Sequence, residues 1–168
     1  MRANSINGFD AMFDTLTVVA YLLGNEPGHS SKLHLRAQFL EQPHSVCVQS
    51  IQSPQIQWSS IPPEADSLAL IIKDAKKYYW VVYNLPIQAT GLPFGVNHEI
   101  MAHDEGINSW GQNNYHAYCS RNNAYPVTIE LYALDKRFNA HKPMTGEALE
   151  QKIKGHVLAK VVKLEKVL

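Results

Sequence analysis

The spacing of apolar residues changes once along the chain. Near the start, Phe9, Met12, Phe13, Leu16, Val19, Ala20 and Leu23 recur at steps of three and four, the repeat of one helical face. Ser5 and Asn7 stand where a helix is capped, Gly24 where one ends, and Asn25-Glu26-Pro27-Gly28 reads as a turn. The polar face of this segment lacks Lys and Arg, which argues for a helix buried on a protein surface through Phe9, Phe13 and Leu16 and against a membrane anchor.

Past residue 32 the period becomes two. Leu33, Leu35, Ala37 and Phe39 alternate with polar residues, as in a half-buried strand. Residues 67–73 (SLALIIK) and 78–85 (YYWVVYNL) are almost continuously apolar, which suits central strands covered on both faces. Val127, Ile129, Leu131 and Ala133 alternate again behind Pro126, whose missing N–H does little harm at a strand start. Thr145 is placed to cap a helix carrying Leu149 and Ile153, expected to run on through Gly155 to Ala159 before a closing strand over 161–167. Residues 91–124 hold no sustained period, and loops of that length are often functional.

The chain has 168 residues, 45% of them hydrophobic, which suits a single domain spanning 1–168 with residues 1–24 as a helical extension. Fifteen Lys and Arg balance fifteen Asp and Glu, so the basic excess that nucleic acid or an anionic membrane calls for is missing. The local trio Lys73, Lys76 and Lys77 reads as a solvated strand end. No apolar run approaches the roughly 20 residues that span a bilayer, and the start of the chain does not read as a signal peptide. Two cysteines, Cys47 and Cys119, cannot build a disulfide framework or a zinc site by themselves, and a cytoplasmic setting is expected. No metal or cofactor is called for. His98-Glu99-Ile100-Met101-Ala102-His103 has one residue too many for the zinc helix motif H-E-x-x-H, because five steps carry the second His off the face of the first.

Several short segments occur in a telling order: Ser53-Pro54-Gln55-Ile56-Gln57-Trp58, Ser67-Leu68-Ala69-Leu70-Ile71-Ile72, Trp80-Val81-Val82-Tyr83-Asn84-Leu85-Pro86, Gly106-Ile107-Asn108-Ser109-Trp110-Gly111, Leu131-Tyr132-Ala133-Leu134-Asp135 and Gly155-His156-Val157-Leu158-Ala159. Over about residues 45–165 the chain thereby resembles the phosphatidylethanolamine-binding protein family, also called Raf-kinase-inhibitor-like, in its bacterial branch. The resemblance implies a mostly β protein, an antiparallel β-sandwich with peripheral helices, here an N-terminal and a C-terminal one. It also implies a homodimer, and a small anion pocket at one end of the sandwich. There an Asp from Asp-Pro-Asp-x-Pro, a His from H-W-V, a Gly-Pro-x-Pro-Pro loop, a His from G-x-H-R-Y and a late Tyr gather around a phosphate or carboxylate.

This chain departs from that pattern. Asp74 matches the first Asp, but Ala75 follows it and the rest of that loop is missing. Tyr79 replaces the His before Trp80, Tyr118-Cys119-Ser120-Arg121 stands for Pro-Cys-Pro-Pro, Tyr125 replaces the second His, and Val167 replaces the late Tyr. The resemblance thus names Asp74, Tyr79, Ala117, Tyr118 and Tyr125 as ligand-binding candidates, with no catalytic group among them. A tyrosine hydroxyl is a neutral donor at pH 7, so the pocket is expected to keep an acid, lose its titratable donors and bind anions weakly. Each residue also has a plainer role open to it: Asp74 as a turn cap, Tyr79 and Tyr125 as core aromatics, Asn108 and Ser109 as turn formers.

Three functions remain open from the sequence. They are a non-enzymatic module for an unidentified small ligand, a protein-interaction domain (a kinase or protease inhibitor, for example) with a vestigial pocket, and a metal-assisted hydrolase using the 98–105 loop. Cys47 and Cys119 match cysteine positions of some family members, and a bridge needs Cα atoms within about 7 Å. In a reducing cytoplasm both should be free. Thiol titration of the denatured protein should therefore give the same value with and without reductant, and an increase on reduction would reveal the bridge.

Overall fold

The computed structural model describes residues 32–40, 52–96, 101–117, 125–139 and 141–167. The expected N-terminal helix, Cys47, His98, Tyr118 and Cys119 lie outside these residues. Among these described residues, eight strands form two antiparallel sheets. β1 (His34–Gln38), β2 (Gln55–Ser59) and β5 (Gly91–Leu92) make a three-stranded sheet in the order β1-β2-β5. β3 (Ser67–Lys73), β4 (Tyr78–Leu85), β6 (Asp104–Glu105), β7 (Tyr125–Leu134) and β8 (Val157–Val167) make a five-stranded sheet in the order β6-β4-β3-β7-β8. One short helix, α1 (Gly146–Lys152), packs on the outer side of the larger sheet.

The doubly apolar strands sit at the centre for a simple reason. Along β3, Leu68, Leu70 and Ile72 point between the two sheets and meet Leu35, Ile56, Trp58 and Leu92 from the smaller one. Ala69 and Ile71 point the other way and meet Phe138, Met144, Leu149 and Ile153 under α1. A strand sandwiched this way must be apolar on both faces, whereas β1 and β2, covered on one side, alternate. The expected strands 67–73 and 78–85 match β3 and β4.

One expectation is overturned. The helix beginning after Thr145, whose Oγ1 accepts from the Ala148 N–H at 3.2 Å, does not run to Ala159. It ends at Lys152, with Ile153 as its C-cap. Gly155 then takes a left-handed φ of +80°, which breaks the helix, and β8 starts at Val157 and pairs with β7 from Leu134 back to Tyr125. The closing strand is therefore four residues longer at its start than the pattern of 161–167 suggested.

Asn84 shows why a motif residue is where it is. Its φ is +53°, a conformation Asn tolerates better than most side chains do. It lies where the β3–β4 register slips between Leu68 and Leu70. The Asn84 amide donates to the Asp104 carboxylate and to the Phe138 carbonyl, its Oδ1 accepts from the Phe138 N–H, and its own carbonyl accepts from Arg137. Buried at the end of β4, it clamps the segment after β7 to the sheet. Asn84→Ala should cost about 2–4 kcal/mol in urea-induced unfolding, since it strands buried partners and keeps the strained backbone. Asn84→Gly relieves the backbone only and should be no more stable than the wild type.

Candidate functional site

The candidate site is built around a slip in register at the start of β4. Ile72 faces Trp80 and Lys73 faces Tyr78, so Tyr79 falls between two register pairs and bulges. The bulge breaks the alternation of side chains. Tyr78 packs toward α1 on the outer side, whereas Tyr79 and Trp80 both belong to the core between the sheets.

The bulged Tyr79 is buried, and its hydroxyl donates to Asp74 Oδ2 at 2.7 Å. The other oxygen of Asp74 accepts the N–H groups of Lys76 and Lys77 at 2.7 and 2.8 Å, which closes the tight turn between β3 and β4. Asp74 is thus both a turn cap and a partner of Tyr79. Partial burial pushes its pKa up, but the Tyr79 hydroxyl, the two backbone donors and the nearby Lys76 ammonium outweigh that and hold it below the usual 3.8. The carboxylate stays charged at neutral pH.

The loop from Gly106 to Ala117 lies along the start of β4. The Ser109 N–H donates to the Tyr78 carbonyl while Ser109 Oγ accepts from the Tyr78 N–H, and the His116 N–H donates to the Tyr79 carbonyl at 2.9 Å. Asn108 is buried and organises the loop from within: its Oδ1 accepts from the Trp110 and Gln112 N–H groups, and its amide donates to the Asn114 carbonyl. This arrangement delivers Trp110 to the site. His116 stacks on its ring at 3.6 Å and 13°, the Lys77 ammonium lies over it at 4.9 Å, and Tyr79 tilts against it at 5.4 Å. Burial, with Lys77 nearby, lowers the His116 pKa below 6.5, so its imidazole is neutral at pH 7.

Two further polar clusters flank the site. Below β4, the buried His103 has both ring nitrogens engaged, Nδ1 with the Met101 carbonyl at 2.7 Å and Nε2 with Glu105 Oε1 at 3.2 Å. Two acceptors suit an imidazolium. Burial pulls its pKa down, yet Glu105 and the Met101 carbonyl outweigh it and raise it above 6.5. The other Glu105 oxygen accepts from the Trp80 indole at 3.4 Å. On the outer side, Lys73 bonds Glu150 of α1 and lies 3.5 Å from Glu130, Tyr78 donates to Glu150 at 2.7 Å, and Tyr132 donates to Glu130. Lys73 is therefore a structural tie to α1, unlike the solvated end expected for it. Gly146 is required beside Tyr78, because a Cβ there would stand 2.1 Å from the ring.

A hollow of about 320 Å³ is also present, but it lies on β1 and β2, lined by His34, Arg36 and Gln57 among others, and neither Asp74 nor Tyr79 borders it.

The fold and these motifs have counterparts. The profile of the phosphatidylethanolamine-binding protein family matches residues 35–164. The chain belongs to the phosphatidylethanolamine-binding protein family. A UPF0098 protein of the archaeon Methanothermobacter thermautotrophicus is 33% identical over 114 residues, 63% of this chain and 76% of that one. Another, from Chlamydia muridarum, is 33% identical over 117 residues, 64% of this chain and 76% of its own. Among solved structures, a phosphatidylethanolamine-binding protein homologue of Chlamydia trachomatis superposes with a TM-score of 0.67 at 24% identity, covering 79% of this chain and 95% of that one. YbcL of Escherichia coli gives 0.64 at 15% identity, over 82% of this chain and all of its own. These two likenesses speak for the fold alone.

Several residues of the family's motifs in this chain hold loops in place. Asp135 and His156, from two motifs far apart in sequence, are hydrogen-bonded through Oδ1 and Nδ1 at 2.9 Å, and the Asp135 N–H donates to the His156 carbonyl. With Asn84 and Asn108 they explain four polar motif positions as structural. Of the five site candidates, the structure brings Asp74, Tyr79 and the buried Ala117 to one end of the larger sheet, Ala117 by way of His116. Tyr125 opens β7 opposite Val167, and Tyr118 lies outside the described residues. Trp110 lies in the motif of residues 106–111 but was not among the ligand-binding candidates, and His116 was not singled out, since a lone His in an aperiodic loop carries no spacing signal.

Tyr79→Phe removes one donor from Asp74. The Asp74 pKa should rise toward 3.8, read by NMR titration, and stability at pH 7 should fall by about 1 kcal/mol. Because the folded pKa is depressed, that loss should vanish as pH falls through it. His103 has the opposite sign: its raised pKa contributes stability that is complete below about 6.5 and is lost as pH rises through the folded value. Urea midpoints from about pH 6 to 9 should therefore slope downward more in the wild type than in His103→Gln.

Proposed function

We propose that this chain is a non-enzymatic, cytoplasmic binding module whose altered pocket takes a small neutral or weakly polar ligand at the Asp74–Tyr79 end. The observation that supports it is the Tyr79–Asp74 hydrogen bond. A neutral hydroxyl stands where the resemblance leads one to expect a histidine, and the carboxylate beside it stays ionised. A negative charge there opposes a phosphate or lipid headgroup, while Tyr79, Trp110 and neutral His116 offer apolar and hydrogen-bonding surface.

A second reading, an interaction domain with a vestigial pocket, draws on Trp110. The indole is packed by His116, Tyr79 and Lys77, so this chain's own side chains occupy much of the space beside Asp74. The hydrolase reading has less support, because both ring nitrogens of His103 are engaged by protein acceptors.

Native mass spectrometry of the gently purified protein separates the first two: a retained small molecule, lost in Tyr79→Ala, supports the module, and a bare chain supports the interaction domain. Inorganic phosphate should leave the Tyr79 and Trp110 resonances unmoved in the wild type. Tyr79→His with Tyr125→His should bring millimolar or tighter phosphate binding at that end, by about 1.4 kcal/mol or more over the wild type. Tight phosphate binding at Tyr79 in the unmodified protein would sink the proposal.

A further inference from the structure

We propose that the outer face of the smaller sheet is a binding groove for a small hydroxylated carboxylate, of the sugar-acid class, held by Arg36. The strand pattern builds this face. Leu35 and Ala37 of β1 and Ile56 and Trp58 of β2 turn to the core, so the residues between them stand on the other side. The register sets these in three facing pairs: His34 with Ser59, Arg36 with Gln57, and Gln38 with Gln55. On β5, Gly91 lies opposite Gln57 and brings no side chain to the face. The hollow of about 320 Å³ lies along the first two pairs, and a second of about 180 Å³ lies along the last two. Arg36 and Gln57 are therefore walls of both.

The chemistry of the groove selects its occupant. Among the residues lining the two hollows, Arg36 carries the one permanent charge, and there is no carboxylate. Among the described residues the Arg36 guanidinium has no ion-pair or hydrogen-bond partner. Its planar fork fits a carboxylate through two parallel hydrogen bonds. One full positive charge balances one carboxylate, whereas a phosphate dianion would keep a charge unmatched. Gln38, Gln55, Gln57 and Ser59 are uncharged, and each both donates and accepts. A sugar hydroxyl does the same, so hydroxyls flanking the carboxylate meet Gln57 and Ser59 on one side of Arg36 and Gln38 and Gln55 on the other. Neither Asp74 nor Tyr79 borders the groove, so this site does not rest on the one proposed at their end of the larger sheet.

Titration of the full chain with gluconate is the test, followed by NMR at the Arg36 Nε–H and the side-chain amides of Gln38, Gln55 and Gln57. These resonances should shift together and saturate in the millimolar range, while those of Tyr79 and Trp110 stay unmoved. Arg36→Gln should weaken binding about tenfold or more. Arg36→Lys keeps the charge but not the fork, and should weaken it about threefold or more. Acetate, a carboxylate without hydroxyls, and glucose, with hydroxyls but no carboxylate, should each bind about tenfold more weakly than gluconate. Arg36 is exposed, and matching melting curves will show that its variants fold. The proposal is overturned by unmoved groove resonances, by a gluconate affinity unchanged in Arg36→Gln, or by acetate, glucose or inorganic phosphate binding there as tightly as gluconate.

Discussion

The bulge at Tyr79 is the constraint from which the candidate site follows. In a regular strand, Tyr78 and Trp80 would share one face and Tyr79 would lie on the other. The slip between Ile72 and Lys73 puts Tyr78 on the α1 side and Tyr79 on the side of Trp80. One extra residue thereby gives the strand two neighbouring tyrosines with opposite duties. Tyr79 meets Asp74 and the Trp110 loop. Tyr78 meets Glu150 and fits against Gly146. The bulge also frees the Tyr78 and Tyr79 carbonyls for the loop, which takes them through the Ser109 and His116 N–H groups.

This arrangement couples the site to the helix behind it. Gly106 has no room for a Cβ against the Met144 carbonyl and Val81, the Ile107 N–H donates to the Met144 carbonyl, and α1 begins two residues later. Glu150 on α1 holds Lys73 and Tyr78, the residues flanking the Asp74 turn. Burial pulls the Lys73 pKa down, but its bond to Glu150 and the charge of Glu130 prevail, while Glu150 is held below its usual value chiefly by Lys73 against its own burial. Both stay charged across the neutral range, so the tie between helix and site does not depend on pH there.

The sequence carried the large elements because their signal is periodic and chemical at once. β3 and β4 are apolar on both faces, and only a strand between two layers needs that. Thr145 announced its helix through cap chemistry, yet the helix end was misplaced, because Leu158 and Ala159 suit a helix as readily as a strand and only pairing with β7 decides between them. The site was half legible. Asp74 and Tyr79 were found by their positions in the motifs, but a bulge leaves no mark in the residue pattern: Tyr78-Tyr79-Trp80 is uniformly aromatic, and which ring faces which layer is set by register. Trp110 and His116 escaped for a related reason, since their meeting depends on the Asn108 hydrogen bonds that shape an aperiodic loop.

The motif positions of this chain fall into two sets. Asn84, Asn108, Asp135 and His156 hold this chain's scaffold by hydrogen bonds. The replacements fall at Tyr79, Tyr118 and Tyr125, where the resemblance puts ligand contacts. At Tyr79 the hydroxyl has an acceptor in Asp74, the acid keeps its charge, and the same acid caps the turn. The buried Tyr79 hydroxyl is thereby satisfied within the scaffold itself.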